Sequence, residues 1–473
     1  LTDERATGTA TVSGLRYETG ADMILRRAVA LTLLSLLGTT TAGAQPTPPA
    51  PSPAPRTLTL AEALRVARER QPQLRQARAT VDAAVARADA ARSALLPQVS
   101  ASAAYQRTTS NFSPRPGLTT VTGAVPGPSW DTRNFWNLGI TASELVYDFG
   151  QTSGRWRAAQ AVESAQRGTE RATLLQALLT VRATYFNARA GKDLVGVARE
   201  TFANQEAHLR QIEGFVRIGT RPEIDLAQAR TDRANAEVQL INAENAYATA
   251  RAQLNQAMGI EESTDYEVAD EVLPPVPGED LPLEALVTDA VATRPDLRAL
   301  EELARAQQLT IGAVRGAYFP ALGVSTGFTD AGGALDSLVW NWNVTATLTW
   351  NLFQGGLTRA QEREARANLE AAQAQLDSLR QQVRVELEEA RLAVRAAKGA
   401  LGASDVALTN ARERLRLAEG RYQAGVGSVI ELGDAQVALT AAAAQRVQAR
   451  YNLSASRAQL LRALGREGEV LAQ

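Results

Sequence analysis

The sequence predicts a mainly α-helical chain with a membrane β-barrel portion, written as a tandem repeat of helix, two strands, very long helix and helix. Three observations predict it. Landmark residues recur at matched spacing in the two halves: Pro72 precedes Pro97 by 25 residues and Pro295 precedes Pro320 by 25, while Gly150 and Gly356 precede Gly219 and Gly425 by 69 each. Long stretches rich in Ala, Leu, Arg, Glu and Gln carry apolar residues at helical spacing. Each half also holds two short runs in which apolar and small polar residues alternate, the signature of strands.

Taken in order, residues 1–22 precede Met23 and read as an upstream extension. Residues 23–44 have the parts of a secretory signal: Arg26 and Arg27, an apolar run from Ala28 to Leu37, and Ala42-Gly43-Ala44 as a cleavage site. The apolar run is too short to span a bilayer, which takes about 20 residues as a helix. Residues 45–56 form a proline-rich extended linker.

The first repeat is expected over residues 57–273. Its opening helix runs from about Leu60 to Leu95 with a bend near Pro72, and its strands occupy about 97–107 and 134–147. A loop from Ser110 to Ser129 separates them and accounts for the 17 residues by which this half is longer. The long segment from Gly150 to Ile218 would extend about 100 Å as one helix, at about 1.5 Å per residue. Residues 274–282 read as an extended linker between repeats. The second repeat is expected over 283–466, with strands at about 320–330 and 339–352, and a tail at 467–473.

The clearest strand, NVTATLTWNLF, places Val344, Ala346, Leu348, Trp350 and Leu352 on one face and Asn343, Thr345, Thr347, Thr349 and Asn351 on the other. Such runs have the length of a tilted transmembrane strand, about 9–11 residues. Trp130, Trp136, Tyr147, Trp340, Trp342 and Trp350 gather near the strand ends, where the aromatic girdles of a membrane barrel lie. Four strands cannot close a barrel, and an open edge is not tolerated in lipid. Several copies must therefore share one barrel: two would bring eight strands and three twelve, and the larger begins to leave an aqueous lumen.

Composition excludes most chemistry. There is no cysteine, and His208 is the only histidine, so thiolate metal sites, cysteine nucleophiles and histidine triads are absent. His208 itself reads as a helix-surface residue. Fifty basic residues against 51 acidic ones leave a net charge of −1 with no basic cluster, which argues against nucleic acid. Aromatics make up only 5% of the chain and much of its apolar content is alanine, which favours narrow helix contacts over a bulky core. No catalytic group, cofactor or metal is expected.

The paired strand entries ALLPQ and AYFPA, the exits VYDFG and LFQGG, the turns IGTRPEIDL and AGVGSVIEL, and the helix ends AMG and ALG, taken as an ordered double set, resemble the TolC family of outer-membrane efflux and secretion ducts. The resemblance spans residues 57–466. It implies a homotrimer with a twelve-stranded barrel in outer-membrane lipid and a twelve-helix tunnel in the periplasm. It also implies docking to a periplasmic adaptor and an inner-membrane transporter, with passage of drugs, small molecules or proteins.

By position, the resemblance makes Gly219 and Gly425 the ends of the long helices at the periplasmic tip, Tyr422 a constraining side chain, Glu431 and Asp434 entrance-lining acids, and Asp225 an acceptor that helps hold the tip shut. One position departs: Gly427 stands where the family often has arginine, and the equivalent first-repeat position carries Arg221. Ser428-Val429-Ile430-Glu431 is also a capping box, and Thr220-Arg221-Pro222-Glu223 repeats its pattern, so Glu431 reads equally as cap or lining acid. Asp434 lies past the cap, on the face of Glu431 at i, i+3. The competing function is a periplasmic adaptor with a helical hairpin, which would need neither the strand pairs nor two matching halves.

Overall fold

The computed structural model describes residues 56–109, 130–262 and 265–467. The expected signal segment, the residues before it, most of the proline-rich linker, the loop Ser110 to Ser129 and the tail from residue 468 lie outside them. The order is β1 (Arg56–Leu58), α1 (Leu60–Arg70), α2 (Pro72–Ser93), β2 (Gln98–Thr108), β3 (Arg133–Tyr147), α3 (Gln151–Arg217) and α4 (Glu223–Met258), followed by β4 (Tyr266–Val268). The second half runs α5 (Leu283–Thr293), α6 (Pro295–Gly316), β5 (Ala321–Gly332), β6 (Val339–Thr349), α7 (Leu357–Gln423) and α8 (Val429–Ala463). The repeat is visible in the elements: α3 and α7 are each 67 residues long.

The opening helix of each half, read as one bent segment, is two helices. Proline lacks the N–H that would continue the ladder and pushes its predecessor out of the helical region. Gln71 (ψ 120°) and Arg294 (ψ 122°) are accordingly extended. Each break is clasped by the far end of its own repeat. Gln71 Nε2 donates to the Ala257 carbonyl (3.0 Å), and Arg294 Nη1 donates to the equivalent Ala463 carbonyl (3.3 Å). Gly259 and Gly465, both at positive φ, end α4 and α8 against these breaks. A Cβ on Gly259 would lie 2.8 Å from the Arg70 carbonyl oxygen, and one on Gly465 would lie 2.9 Å from Arg294 Cα, so only glycine fits.

Around these clasps sits a core that the alanine-rich composition does not announce. Leu60, Leu178, Tyr185, Leu254, Met258, Leu297, Leu387 and Leu464 are all buried where α1, α3, α4, α6, α7 and α8 meet. The parallel pair β1–β4 closes it, with Leu58 opposite Val268. The inter-repeat segment, read as a plain extended linker, carries part of this region's polar framework. Glu279 is buried, accepts from Arg457 Nε (3.0 Å) and Nη2 (3.1 Å), and pairs with Lys398 (2.7 Å).

The four long strands form one antiparallel sheet in the order β2-β3-β5-β6. The last strand ends at Thr349, three residues short of expectation. Trp350 leaves the ladder and donates its indole N–H to the Tyr318 carbonyl (3.1 Å). Both long helices are entered through left-handed residues, Phe149-Gly150 and Gly355-Gly356. Phe149 (φ 53°) is the non-glycine exception, and its ring stacks on Phe319 (4.8 Å between centroids) with Tyr147 on its edge (4.8 Å). That aromatic packing offsets a backbone strain of about 1–3 kcal/mol.

Candidate functional site

At the end remote from the sheet, α3 and α7 stop at Gly219 and Gly425, both with φ 75°, and α4 and α8 return. A small core of Ile212, Ala229, Ala418, Tyr422, Leu432 and Ala435 joins the four helices there. Tyr422 is 3% exposed and sits at the joint. His208 of α3 meets its ring edge-on (5.8 Å), and the Arg221 guanidinium lies over it (4.5 Å), a cation–π contact. The Tyr422 hydroxyl is buried without a hydrogen-bond partner among the described residues. Asp225 is also buried, and its carboxylate reaches Arg221 only at 4.0 Å.

The departing position has a steric cause. A Cβ on Gly427 would fall 2.9 Å from the Tyr422 backbone nitrogen, so arginine cannot stand there in this turn. Arg221, across the joint in the first-repeat turn, supplies the cation to Tyr422 instead. His208, read as a surface residue, is half-buried in this cluster. The signal was its place one turn before Ile212 on the apolar stripe that continues to Phe215.

The capping expectations divide. Ser428 caps α8, its hydroxyl accepting from the Glu431 backbone N–H (3.1 Å), but the Glu431 carboxylate pairs with Arg421 (3.2 Å) instead of reaching back. The first-repeat pattern fails as a cap. α4 starts two residues later than the box requires, Pro222 occupies the cap position without a side-chain bond, and Thr220 donates to the Phe215 carbonyl (3.0 Å). Glu431 and Asp434, expected on one face, go to different neighbourhoods. Asp434 joins Asp225 and Asp232 in a groove of about 810 Å³ between α4 and α8, with Gln228, Asn235 and Gln436 among its walls.

At the other end, strand register sorts the sheet into two chemically distinct faces. Val99, Ala101, Ala103 and Tyr105 pair with Ala142, Ile140, Leu138 and Trp136. Ile140 in turn pairs with Phe328, and Phe328 with Trp342. The intervening positions, Ser100, Ser102, Thr141, Ser143, Ser325, Thr345 and Thr347, form a small polar face. Trp136, Trp340 and Trp342 lie toward the end far from the helices, while Tyr147 and Trp350 lie toward the helical end, so the aromatics make two bands. Trp130, 95% exposed, lies outside the strands. A mostly apolar face, interrupted by Thr326 and, toward its ends, Glu144 and Asp330, between two aromatic bands and backed by a polar face is the wall of a membrane barrel. No helix among the described residues is long and apolar enough to cross a membrane.

The outer membrane efflux protein family model matches residues 63–260 and 286–466. The chain belongs to this family. The toluene efflux pump outer membrane protein TtgF of Pseudomonas putida is 27% identical over 414 residues, covering 85% of this chain and 82% of that protein. The cation efflux system protein CusC of Escherichia coli is 24% identical over 357 residues, covering 72% and 75%. Among solved structures, the CmeC outer membrane channel of Campylobacter jejuni superposes with a TM-score of 0.75 at 20% identity, covering 86% of this chain and 85% of that one. This efflux protein is thus an outer-membrane channel component, and the adaptor alternative is set aside.

The cluster at the tip of this efflux protein holds its one histidine partly out of water. Burial pulls the His208 imidazole below its ordinary value, against smaller upward pulls from Asp232 and Asp225. A base whose pKa is depressed in the packed state supports that packing fully above its free value of about 6.5, and the support is lost as pH falls through that value toward the lower one. Spin labels on cysteines placed at Arg217 and Gln423 of the cysteine-free chain should show the joint broadening as pH falls below about 6.5. His208→Phe should abolish the change; equal broadening in that variant would assign the pH response to other groups.

Proposed function

We propose that three copies of this efflux protein close a twelve-stranded barrel and continue as a twelve-helix periplasmic tunnel. Through it, small molecules delivered by a periplasmic adaptor and an inner-membrane transporter leave the cell. The observation that carries the reading is the sheet: β2 and β6 are edge strands with unpaired backbone groups, which lipid does not tolerate, and the polar face supplies a wettable lining. Two copies would make an eight-stranded barrel, whose interior side chains fill. Twelve strands leave a lumen.

In this reading the tip is the gate, and the groove acids line its approach. Three copies of Asp434 around a threefold axis would attract cations, giving a cation-preferring constriction. Because Glu431 is already paired with Arg421, Asp434 dominates. In planar bilayers, Asp434→Asn should reduce cation selectivity and block by multivalent cations, and Glu431→Gln should change them less. Unchanged selectivity and block in the Asp434→Asn, Glu431→Gln double variant would remove these acids from the conduction path.

A further inference from the structure

A charged feature at the sheet end is not used by the conduit. Trp350, at the helical-side aromatic band, is bonded to the Tyr318 carbonyl, and the Tyr318 hydroxyl donates to Glu362 Oε2 (3.1 Å) on α7. Glu362 also accepts from Arg315 Nε (2.8 Å) and Arg366 Nη2 (2.7 Å). Trp350 continues the alternation of Trp342, Val344, Ala346 and Leu348 on the apolar sheet face, and these hydrogen bonds tie the Glu362 face of α7 to it. Arg359, Glu362, Arg363 and Arg366 share that helix face by their spacing of three and four. Arg359 is close enough to the Tyr318 phenol to act on it electrostatically.

Around Glu362, then, stand Arg315, Arg359, Arg363 and Arg366, with a single carboxylate among them. Arg359 and Arg363 make no hydrogen bond or ion pair with any described residue. Placed at i, i+4, they repel each other, so within the chain alone the pair is unfavourable. The stripe spans about 10 Å along the helix, at about 1.5 Å per residue. It starts just past exposed Leu352 and Phe353, 78% and 89% exposed, where the apolar band of the wall gives way to the helices. A basic stripe on the lipid side, one step beyond an aromatic band, stands at headgroup depth.

We propose that Arg315, Arg359, Arg363 and Arg366 form a collar that binds anionic phospholipid headgroups in the leaflet on the helical side of the membrane. The phosphates neutralise the unpaired arginines, and the aromatic band sets their depth. The collar holds the channel at a fixed height and requires only the membrane placement of the wall, not the gate.

The test uses the full-length protein in nanodiscs of mixed phosphatidylglycerol and phosphatidylethanolamine, with retained lipids counted by native mass spectrometry. Phosphatidylglycerol should be retained in excess by the wild type, a comparison that needs no variant. Each arginine near an anionic surface is worth about 1 kcal/mol, so the Arg359→Gln, Arg363→Gln double variant should lose at least about tenfold in preference. Arg412→Gln with Arg414→Gln, at the opposite end, should lose none. Equal retention of the two lipids by the wild type, an unchanged preference in the double variant, an equal loss in the distant control, or displacement of the lipid by inorganic phosphate would each overturn the proposal.

Discussion

Arg457→Met should lower the stability of the core around the Gln71 and Arg294 clasps by about 3–5 kcal/mol, the cost of leaving a buried carboxylate without its partner. Arg457 and Glu279 are joined by two hydrogen bonds of 3.0 and 3.1 Å, and Arg457 Nη1 also donates to the Leu273 carbonyl (2.8 Å). Burial alone would push the Glu279 carboxyl up, but Arg457, Lys398 and the Val276 N–H together hold it below the usual carboxylate range. The sign follows: this contribution is present above the unfolded glutamate pKa, about 4.3, and is lost as pH falls through the folded value. Lys398→Met should cost less, since Lys398 is partly solvated and shared with exposed Asp280. A Glu279→Met, Arg457→Met double variant should recover most of the loss, because apolar replacement of both partners is close to neutral. Urea unfolding midpoints decide the matter; a single variant as stable as the wild type would show the pair to be solvated.

Tyr422→Ala should loosen the tip, removing about 3–5 kcal/mol of packing from a core of only a few residues, and raise the resting conductance in planar bilayers. Tyr422→Phe should not. The hydroxyl has no hydrogen-bond partner among the described residues, so its removal takes away an uncompensated buried polar group, while the ring keeps its contacts with Arg221 and His208. The two variants separate a packing role from a hydrogen-bonded latch. If Tyr422→Phe opened the channel as far as Tyr422→Ala, the hydroxyl would be the element holding the tip and the packing account would fail.

The same contrast shows how far the residues could be read without the fold. The strands were legible because alternation is local: Val344, Ala346 and Leu348 announce one face within a few residues. The long helices were legible because alanine, leucine and glutamate at helical spacing specify themselves. The split at Gln71 is only half legible, since proline signals a break but not whether the chain bends or separates, and the clasp to Ala257 lies far along the chain. At the tip, the Ser428 cap was legible as a local hydrogen bond. The fate of Glu431 was not, because its partner Arg421 belongs to the preceding helix and is brought to it by the turn. The burial of His208 is hidden for a related reason: its spacing is suggestive, but it is Tyr422, from the other half, that packs against its ring.

The sequence by itself determined the repeat, the extent of the two long helices, the strands and their two faces, and with them membership of an outer-membrane channel family. Each of these is written in a period that backbone geometry reads within a few residues. Only the tertiary structure decided which distant side chains meet: Arg221 over Tyr422, Arg457 on Glu279, Arg421 on Glu431. Such pairings depend on how two helical hairpins pack in three dimensions, and two residues at the same repeat position receive different partners when one turn has room for a side chain and the other, at Gly427, has none.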